Sequence, residues 1–264
     1  MPRVQLSLLG PFRLVVHNQP VQRLRSLREA ALLAYLAVEP HQPQPRDRLA
    51  GLLWPDHSAT GARDNLKQTL SNLRRTLDDL SAPTPLLQVD RQTVHFVASD
   101  AIWLDVDHFR QSLAFTRTHS HAAFAQCAIC MAQLAQAADL YQGPFLHNFT
   151  AINSDLFAEW LLLQQENFHQ QAMTILEQVS AYAYRQGEYA KALDFARRHT
   201  QFDPLNERAQ RQLLRSLVQM DDRSAALAHF ESFQARLAAE LAVAPSPETL
   251  ALVAESVSGP WAPM

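Results

Sequence analysis

Two stretches of this chain carry side chains whose types and spacing are suited to chemistry. The first is "ATGARDNLKQTLSNLRRTLDDL", residues 59–80. At 100° per residue, Ala62, Leu66, Leu70, Leu73 and Leu77 form a single apolar stripe. Opposite it lie Asp64, Lys67, Gln68, Ser71, Asn72 and Arg75, with Arg63 and Arg74 at the flanks. Amides can pair bidentately with adenine, cationic side chains with guanine, and a hydroxyl with base or phosphate. The competing reading is a helix face turned to water. The second stretch places His119 and His121 just ahead of Cys127 and Cys130. These are zinc-ligand types. Residues 122–141, however, read as a buried helix of small residues, in which cysteines three apart form a core pair. Packing is therefore the expectation there, with no metal.

The flanking elements have to position these residues. Val4, Leu6 and Leu8 alternate with polar neighbours, as do Phe12, Leu14 and Val16 beyond a Gly10-Pro11 break. The pattern predicts a small antiparallel sheet with one buried face and a turn at residues 17–20. "SLREAALLAYLAVEP" then carries apolar residues at helical spacing after Ser26, a capping residue. Pro40, Pro43 and Pro45 mark a loop, and "RDRLAGLLW" is a short second helix stopped at Trp54-Pro55. The long polar-faced helix follows. "LLQVDRQTVHFV" reads as two strands around a polar turn. Beyond about Asp100 the periodicity is helical throughout. Segments 185–198 and 219–232 align at an offset of 34 residues, superposing Ala192 on Ala226 and Leu193 on Leu227. That is the period of a tetratricopeptide unit. Trp54, Trp103 and Trp160 read as packing residues, and Arg197-Arg198-His199 as a cationic helix end favoured by the macrodipole.

Composition narrows the function classes. Residues 1–98 hold 12 Lys/Arg against 8 Asp/Glu, a balance of +4, whereas residues 99–264 hold 11 against 18, a balance of −7. Opposite signs point to two domains with different partners. No apolar run is long enough to span a membrane, no secretory signal is evident, and two cysteines give no disulfide framework. A cytoplasmic protein is the expectation. The six glycines form no phosphate-cradling loop, and no catalytic motif is present, so neither an enzyme nor a cofactor is expected.

Sheet, helix, short helix, long helix and hairpin is the element order of a winged helix-turn-helix, in which the helix before the wing enters the major groove. Base readout is expected from Lys67, Gln68, Ser71 and Asn72, together with Arg75. Phosphate contacts are expected from Arg63, Arg74 and Arg91, with Arg46 and Arg48 at the start of the short helix. Asp78 and Asp79 are expected to lie beyond the duplex.

The stretches "LLGPFRL", "RDRLAGLLWPD" and "ARDNLKQTLSNLRRTL" resemble the OmpR/PhoB-type winged helix of the Streptomyces antibiotic regulatory protein family. "DVDHF", "YQGPFL", "DPLNERAQRQLLRSL" and "RLAAELAVAPSPETL" resemble the bacterial transcriptional activator domain that follows it in that family. The resemblance implies a transcriptional regulator, usually an activator, that binds direct repeats in double-stranded DNA near a promoter and contacts RNA polymerase, with a homodimer on DNA as one arrangement. It implies that the base-contacting helix is residues 61–77. The wing departs from the family: Thr93-Val94 stands where Gly-Tyr is common. Larger members append a nucleotide-binding module, so this chain is either a short member or a fragment. The expected fold is mainly α with a small β component. It comprises a winged helix-turn-helix over residues 1–98, an all-α tetratricopeptide-like domain over 99–256 and a tail at 257–264, each domain folding alone. The alternative is a tetratricopeptide-like interaction scaffold whose degenerate winged helix binds protein.

Overall fold

The computed structural model describes residues 2–258 apart from 40, 41, 148, 150 and 151, with side chains described to residue 255. Pro40 of the expected loop and residues 259–264 of the expected tail lie outside the described residues.

Strands β1 (Val4–Ser7) and β2 (Arg13–Val16) pair antiparallel in the register Val4↔Val16 and Leu6↔Leu14. Their alternating apolar residues are buried, as the period-2 pattern requires. His17 and Asn18, both at positive φ (48° and 62°), form the two-residue turn into β3 (Gln19–Pro20). Two positive φ values match the twist of a tight hairpin. Helix α1 (Leu27–Val38) is capped by Ser26, whose hydroxyl accepts from the Glu29 amide. The Glu29 carboxylate reaches back to the Arg25 amide, so the helix opens on a variant of the capping box. Strand β4 (Gln44–Pro45) leads into α2 (Arg46–Leu53), and α3 (Ala59–Thr76) starts at Ser58, which caps the Gly61 amide. Asp78, at φ 50°, takes the left-handed position just past the helix. Strands β5 (Leu87–Val89) and β6 (Thr93–Phe96) form the expected hairpin, and β4 extends it to three strands in the order β4-β6-β5.

The expectation of helices only beyond Asp100 fails at β7 (Ile102–Leu104). This strand pairs parallel with β1, giving a four-stranded sheet in the order β3-β2-β1-β7. Three residues are too short a run for a period-2 signal, and the partner is almost a hundred positions away.

Helix α4 (Asp105–Thr118) follows directly, then a 3-10 turn (Phe124–Gln126), α5 (Ala128–Leu140), α6 (Asp155–Arg185), α7 (Tyr189–Phe202), α8 (Glu207–Gln219), α9 (Arg223–Leu241) and α10 (Pro247–Ser258). The chain falls into two compact units, one of residues 1–111 with 140–169, the other of 112–139 with 170–264. The 98/99 boundary expected from chain order lies inside the first unit.

The close approach of two glycine-centred segments shows why 140–169 belongs with the N-terminus. The Leu146 and Gln142 amides donate to the carbonyls of Leu8 and Leu9. Gly10 (φ 141°) sits so near this segment that an added Cβ would lie 3.2 Å from Gln142 Cβ. Phe145 and Trp160 then join Phe109, Phe168 and Tyr35 in a connected aromatic cluster, with Phe145–Phe168 centroids 5.4 Å apart and Tyr35–Trp160 centroids 5.0 Å apart. Trp160 and the buried Trp54 are packing residues, as expected, and Trp103 stacks on His108.

In the second unit, Leu193, Ala196, Leu213, Leu214, Leu217 and Phe230 form the core of the α7–α9 layer. The 34-residue repeat is visible in the backbone as well as in packing. Gly187 (φ 76°) before α7 and Asp221 (φ 60°) before α9 occupy equivalent left-handed positions. Ala192 and Ala226 are both buried, whereas Leu227 is exposed where Leu193 is not. The small residue is what the helix contact requires; the leucine match is incidental.

Asp105, 2% exposed, connects the first-unit sheet to α4. One carboxylate oxygen accepts from the Leu8 and Leu9 amides at 2.7 and 2.8 Å, and the other from Val106. Burial pushes its pKa up to about 6, against the pull of those backbone amides. The folded chain therefore holds a proton there at a pH where the unfolded chain has released it. Stability from this group is full below about pH 4, falls as pH rises through 6, and is level above. Relative to Asp105→Asn, which stays neutral, the wild type is expected to lose about 2–3 kcal/mol across that window. Urea unfolding of both proteins between pH 4 and 7.5 measures this; a pH-independent difference would refute it.

Candidate nucleic-acid interface

The apolar stripe of α3 is buried as read from the wheel: Leu66, Leu73 and Leu77 are fully enclosed, and Ala62 and Leu70 nearly so. Each buried leucine contributes about 1.5–3 kcal/mol by its removal from water, enough to dock the helix against α1 and α2. On the outer side Asp64, Lys67, Gln68 and Arg75 are exposed and Ser71 half-buried. Lys67, Gln68, Ser71 and Arg75 follow one another at i, i+1, i+4 and i+8, a row along one face. The Arg75 guanidinium donates to the Ser71 hydroxyl at 3.0 Å.

Asn72 departs from expectation. It is 8% exposed, and its amide nitrogen donates to a Glu29 carboxylate oxygen at 2.8 Å while its oxygen accepts from Gln68 at 3.0 Å. Both ends of the side chain are committed, so Asn72 is not part of the outward face. The wheel placed it opposite the stripe, but the N-terminal turn of α1 covers that part of the helix and encloses it. Glu29 itself is 1% exposed, with its other oxygen taken by the Arg25 amide. Sequence reasoning missed Glu29; its position three residues after Ser26 was the available signal.

The cationic residues divide in the same way. Arg48 and Arg91 are exposed. Arg63, expected on the flank as a phosphate contact, makes a forked ion pair with Asp47 of α2 at 2.6 and 2.8 Å. The pairing holds the Asp47 carboxyl below its usual range, chiefly through the hydrogen bond from Arg63. Both partners stay largely exposed, so the pair is weak and exchangeable. Arg46 donates to the Asp90 carbonyl and its own amide to the Gln92 carbonyl, which fixes the start of α2 to the wing turn. Arg74 is half-buried, with its Nε enclosed and without a hydrogen-bond partner.

Asp79, expected to lie past the duplex, is instead buried. Its carboxylate accepts from the Leu86 and Leu87 amides and from Arg3. It thereby fixes where the chain leaves α3 for β5. Asp78 is exposed and pairs with His17. The wing turn is preformed: the Asp90 carboxylate accepts from the Gln92 and Thr93 amides and the Thr93 hydroxyl, and these bonds, led by the hydroxyl, lower its pKa.

Comparison with known proteins gives this geometry its context. Residues 104–255 match the family model described as the bacterial transcriptional activator domain. The chain belongs to this family. Over 75 residues it is 32% identical to the transcriptional regulatory protein EmbR of Mycobacterium tuberculosis, and equally to that of Mycobacterium bovis, a stretch covering 28% of this chain and 19% of the relative. The solved structure of Mycobacterium tuberculosis EmbR in complex with a low affinity phosphopeptide superposes with a TM-score of 0.70 at 21% identity. It covers 97% of this chain, which spans 65% of the EmbR chain. The fold is thus shared along almost the whole described chain: a winged-helix region followed by an all-α, tetratricopeptide-like activator domain. The matched family is one of transcriptional regulators. Among the described residues no helix is long and apolar enough to cross a membrane.

The two roles now assigned along α3 separate in stability measurements. Asn72→Ala leaves a Glu29 oxygen buried without its donor and is expected to cost about 1–3 kcal/mol. Gln68→Ala, on the exposed side, should stay within about 0.5 kcal/mol, and Leu70→Ala should cost about 2–5 kcal/mol through lost packing. Chemical denaturation of the three variants checks the order; equal effects of Asn72→Ala and Gln68→Ala would contradict the positioning role of Asn72.

Proposed function

We propose that the chain is a cytoplasmic, sequence-specific DNA-binding regulator whose α3 enters the major groove. The observation that carries this reading is the row Lys67, Gln68, Ser71 and Arg75, held outward on a helix whose opposite stripe is buried, immediately before a preformed wing. Lys67, Gln68 and Ser71 face the bases, with Arg75 as a further base contact at the end of the row. Asn72 acts behind them by orienting Gln68. Arg48 from α2 and Arg91 from the wing flank the helix as phosphate contacts, with Arg46, Arg63 and Arg74 nearer the protein surface. Arg63 contributes once it exchanges Asp47 for a phosphate. Direct repeats near a promoter as the target, a homodimer on DNA and a contact with RNA polymerase are the arrangement that the family resemblance supports.

Affinity for random duplex should fall steeply with salt, because phosphate contacts release counterions. Arg48→Ala and Arg91→Ala should each lower the slope by about one and weaken specific and random duplex alike. Gln68→Ala and Ser71→Ala should cost about 1–3 kcal/mol at a site selected from a random pool, and much less on random duplex. Asp47→Ala, which removes a repelling charge and frees Arg63, should strengthen random-duplex binding. Fluorescence anisotropy across a salt series checks all of these. Absence of binding at every salt concentration would overturn the proposal and leave a winged helix that binds protein.

A further inference from the structure

The His-Cys stretch does not form the single buried helix expected of it. The 3-10 turn ends before Cys127, and α5 begins at Ala128, so Cys127 lies in the connection and Cys130 on the first turn of the helix. His119 and His121 follow the end of α4. The four residues therefore come from the two ends of one short connection within the second unit, and the connection folds back to bring them together.

One ligand atom from each of His119, His121, Cys127 and Cys130 lies within 4.8 Å of the other three. The His119 Nδ1 is 3.6 Å from the Cys127 sulfur and 3.4 Å from the Cys130 sulfur, and the His121 Nδ1 is 3.8 Å from the Cys130 sulfur. A tetrahedral zinc with Zn–S of about 2.3 Å and Zn–N of about 2.0–2.1 Å places neighbouring S and N ligands about 3.5 Å apart. The three measured separations bracket that value. Pairwise hydrogen bonding is a poor account of the same atoms: one ring nitrogen faces two sulfurs at once, and a thiol is a weak donor. A shared central cation satisfies all the contacts together.

We propose that His119, His121, Cys127 and Cys130 form a tetrahedral zinc site that fastens the end of α4 to the start of α5. Two imidazoles and two thiolates are the donor set that suits zinc and excludes calcium and magnesium, which take oxygen ligands. With four protein donors no position is left open for a substrate, so the site is structural. Its surroundings hold the ligands in place. The His119 and His121 rings stack at 5.9 Å between Phe115 and Phe124. The Cys127 amide donates to the Phe124 carbonyl, and Arg185 of α6 donates to the Ala125 carbonyl, so the turn carrying the ligands is fixed on both sides. Cys130 is fully buried and the other three are half-buried, which shields the centre from solvent on one side.

The test uses the untagged full chain, grown with zinc and purified reduced without chelator. Elemental analysis should find about one zinc per chain. Exchange with cobalt(II) should give the intense visible bands of a tetrahedral ion and a thiolate-to-metal charge-transfer band. His121→Ala and Cys127→Ser, both at half-buried positions, should weaken zinc binding by at least about 100-fold. His57→Ala, at an exposed site in the other unit, should not. Chelation should lower the melting temperature of the wild type and leave that of His121→Ala unchanged. Reduced wild type that binds no zinc, gives an octahedral cobalt spectrum, or matches the affinity of His121→Ala overturns the proposal. The wild-type cobalt spectrum decides the question even if a variant fails to fold.

Discussion

A buried carboxylate at the start of α1 determines which face of α3 the protein shows. Glu29 accepts from the Arg25 amide, which caps its own helix, and from Asn72, which belongs to another. Asn72 in turn accepts from Gln68 on the outer face. Leucine burial supplies most of the energy that docks α3, since four enclosed leucines at about 1.5–3 kcal/mol each outweigh hydrogen bonds worth about 0.5–1.5 kcal/mol net. An apolar stripe nevertheless tolerates rotation of the helix about its axis by a fraction of a turn. The polar link does not, because a Glu29 oxygen without Asn72 would be buried and unsatisfied. Packing sets that the helix docks, and the Glu29–Asn72–Gln68 chain sets its angle.

The same device recurs through the first unit. Asp79 gathers the Leu86 and Leu87 amides where the chain turns from α3 toward the wing. Asp105 gathers the Leu8 and Leu9 amides where β1 ends and α4 begins. Asp90 closes the wing turn on the Thr93 and Gln92 amides. Each acid satisfies backbone donors left over at the end of a regular element. Glu29, Asp79, Asp90 and Asp105 are thus occupied by backbone amides and Asp47 by Arg63, which leaves Lys67, Arg48, Arg75 and Arg91, with the exposed Asp64 among them, to set the field toward a polyanion.

Much of this was legible in the sequence. The α3 stripe, the Ser26 cap, the strand alternation and the hairpin are local patterns, fixed by residues within a few positions of each other. What escaped depends on partners distant along the chain. β7 is three residues long and is a strand only because β1 lies beside it. The wheel puts Asn72 opposite the stripe, and only Glu29, 43 residues earlier, places it inside. Arg63 was rightly seen on a flank, but its forked bond to Asp47 needs the α2–α3 angle. The left-handed backbone shared by Gly187 and Asp221 was hidden for a different reason, since an aspartate tolerates that conformation without announcing it. The His-Cys cluster was visible as spacing; the local chain reversal that joins its two halves was not.

The central claim is that the outer face of α3, in the orientation set by Asn72, is what lies against the bases. Photo-crosslinking tests it most directly, with 5-iodouracil replacing thymine at successive positions of a duplex selected from a random pool, followed by peptide mapping. The account predicts crosslinks confined to the α3 peptide containing Lys67, Gln68 and Ser71, and their loss in Asn72→Ala at protein concentrations that still saturate the DNA. Crosslinks that map to the wing around Arg91, or α3 crosslinks that persist unchanged in Asn72→Ala, would contradict it.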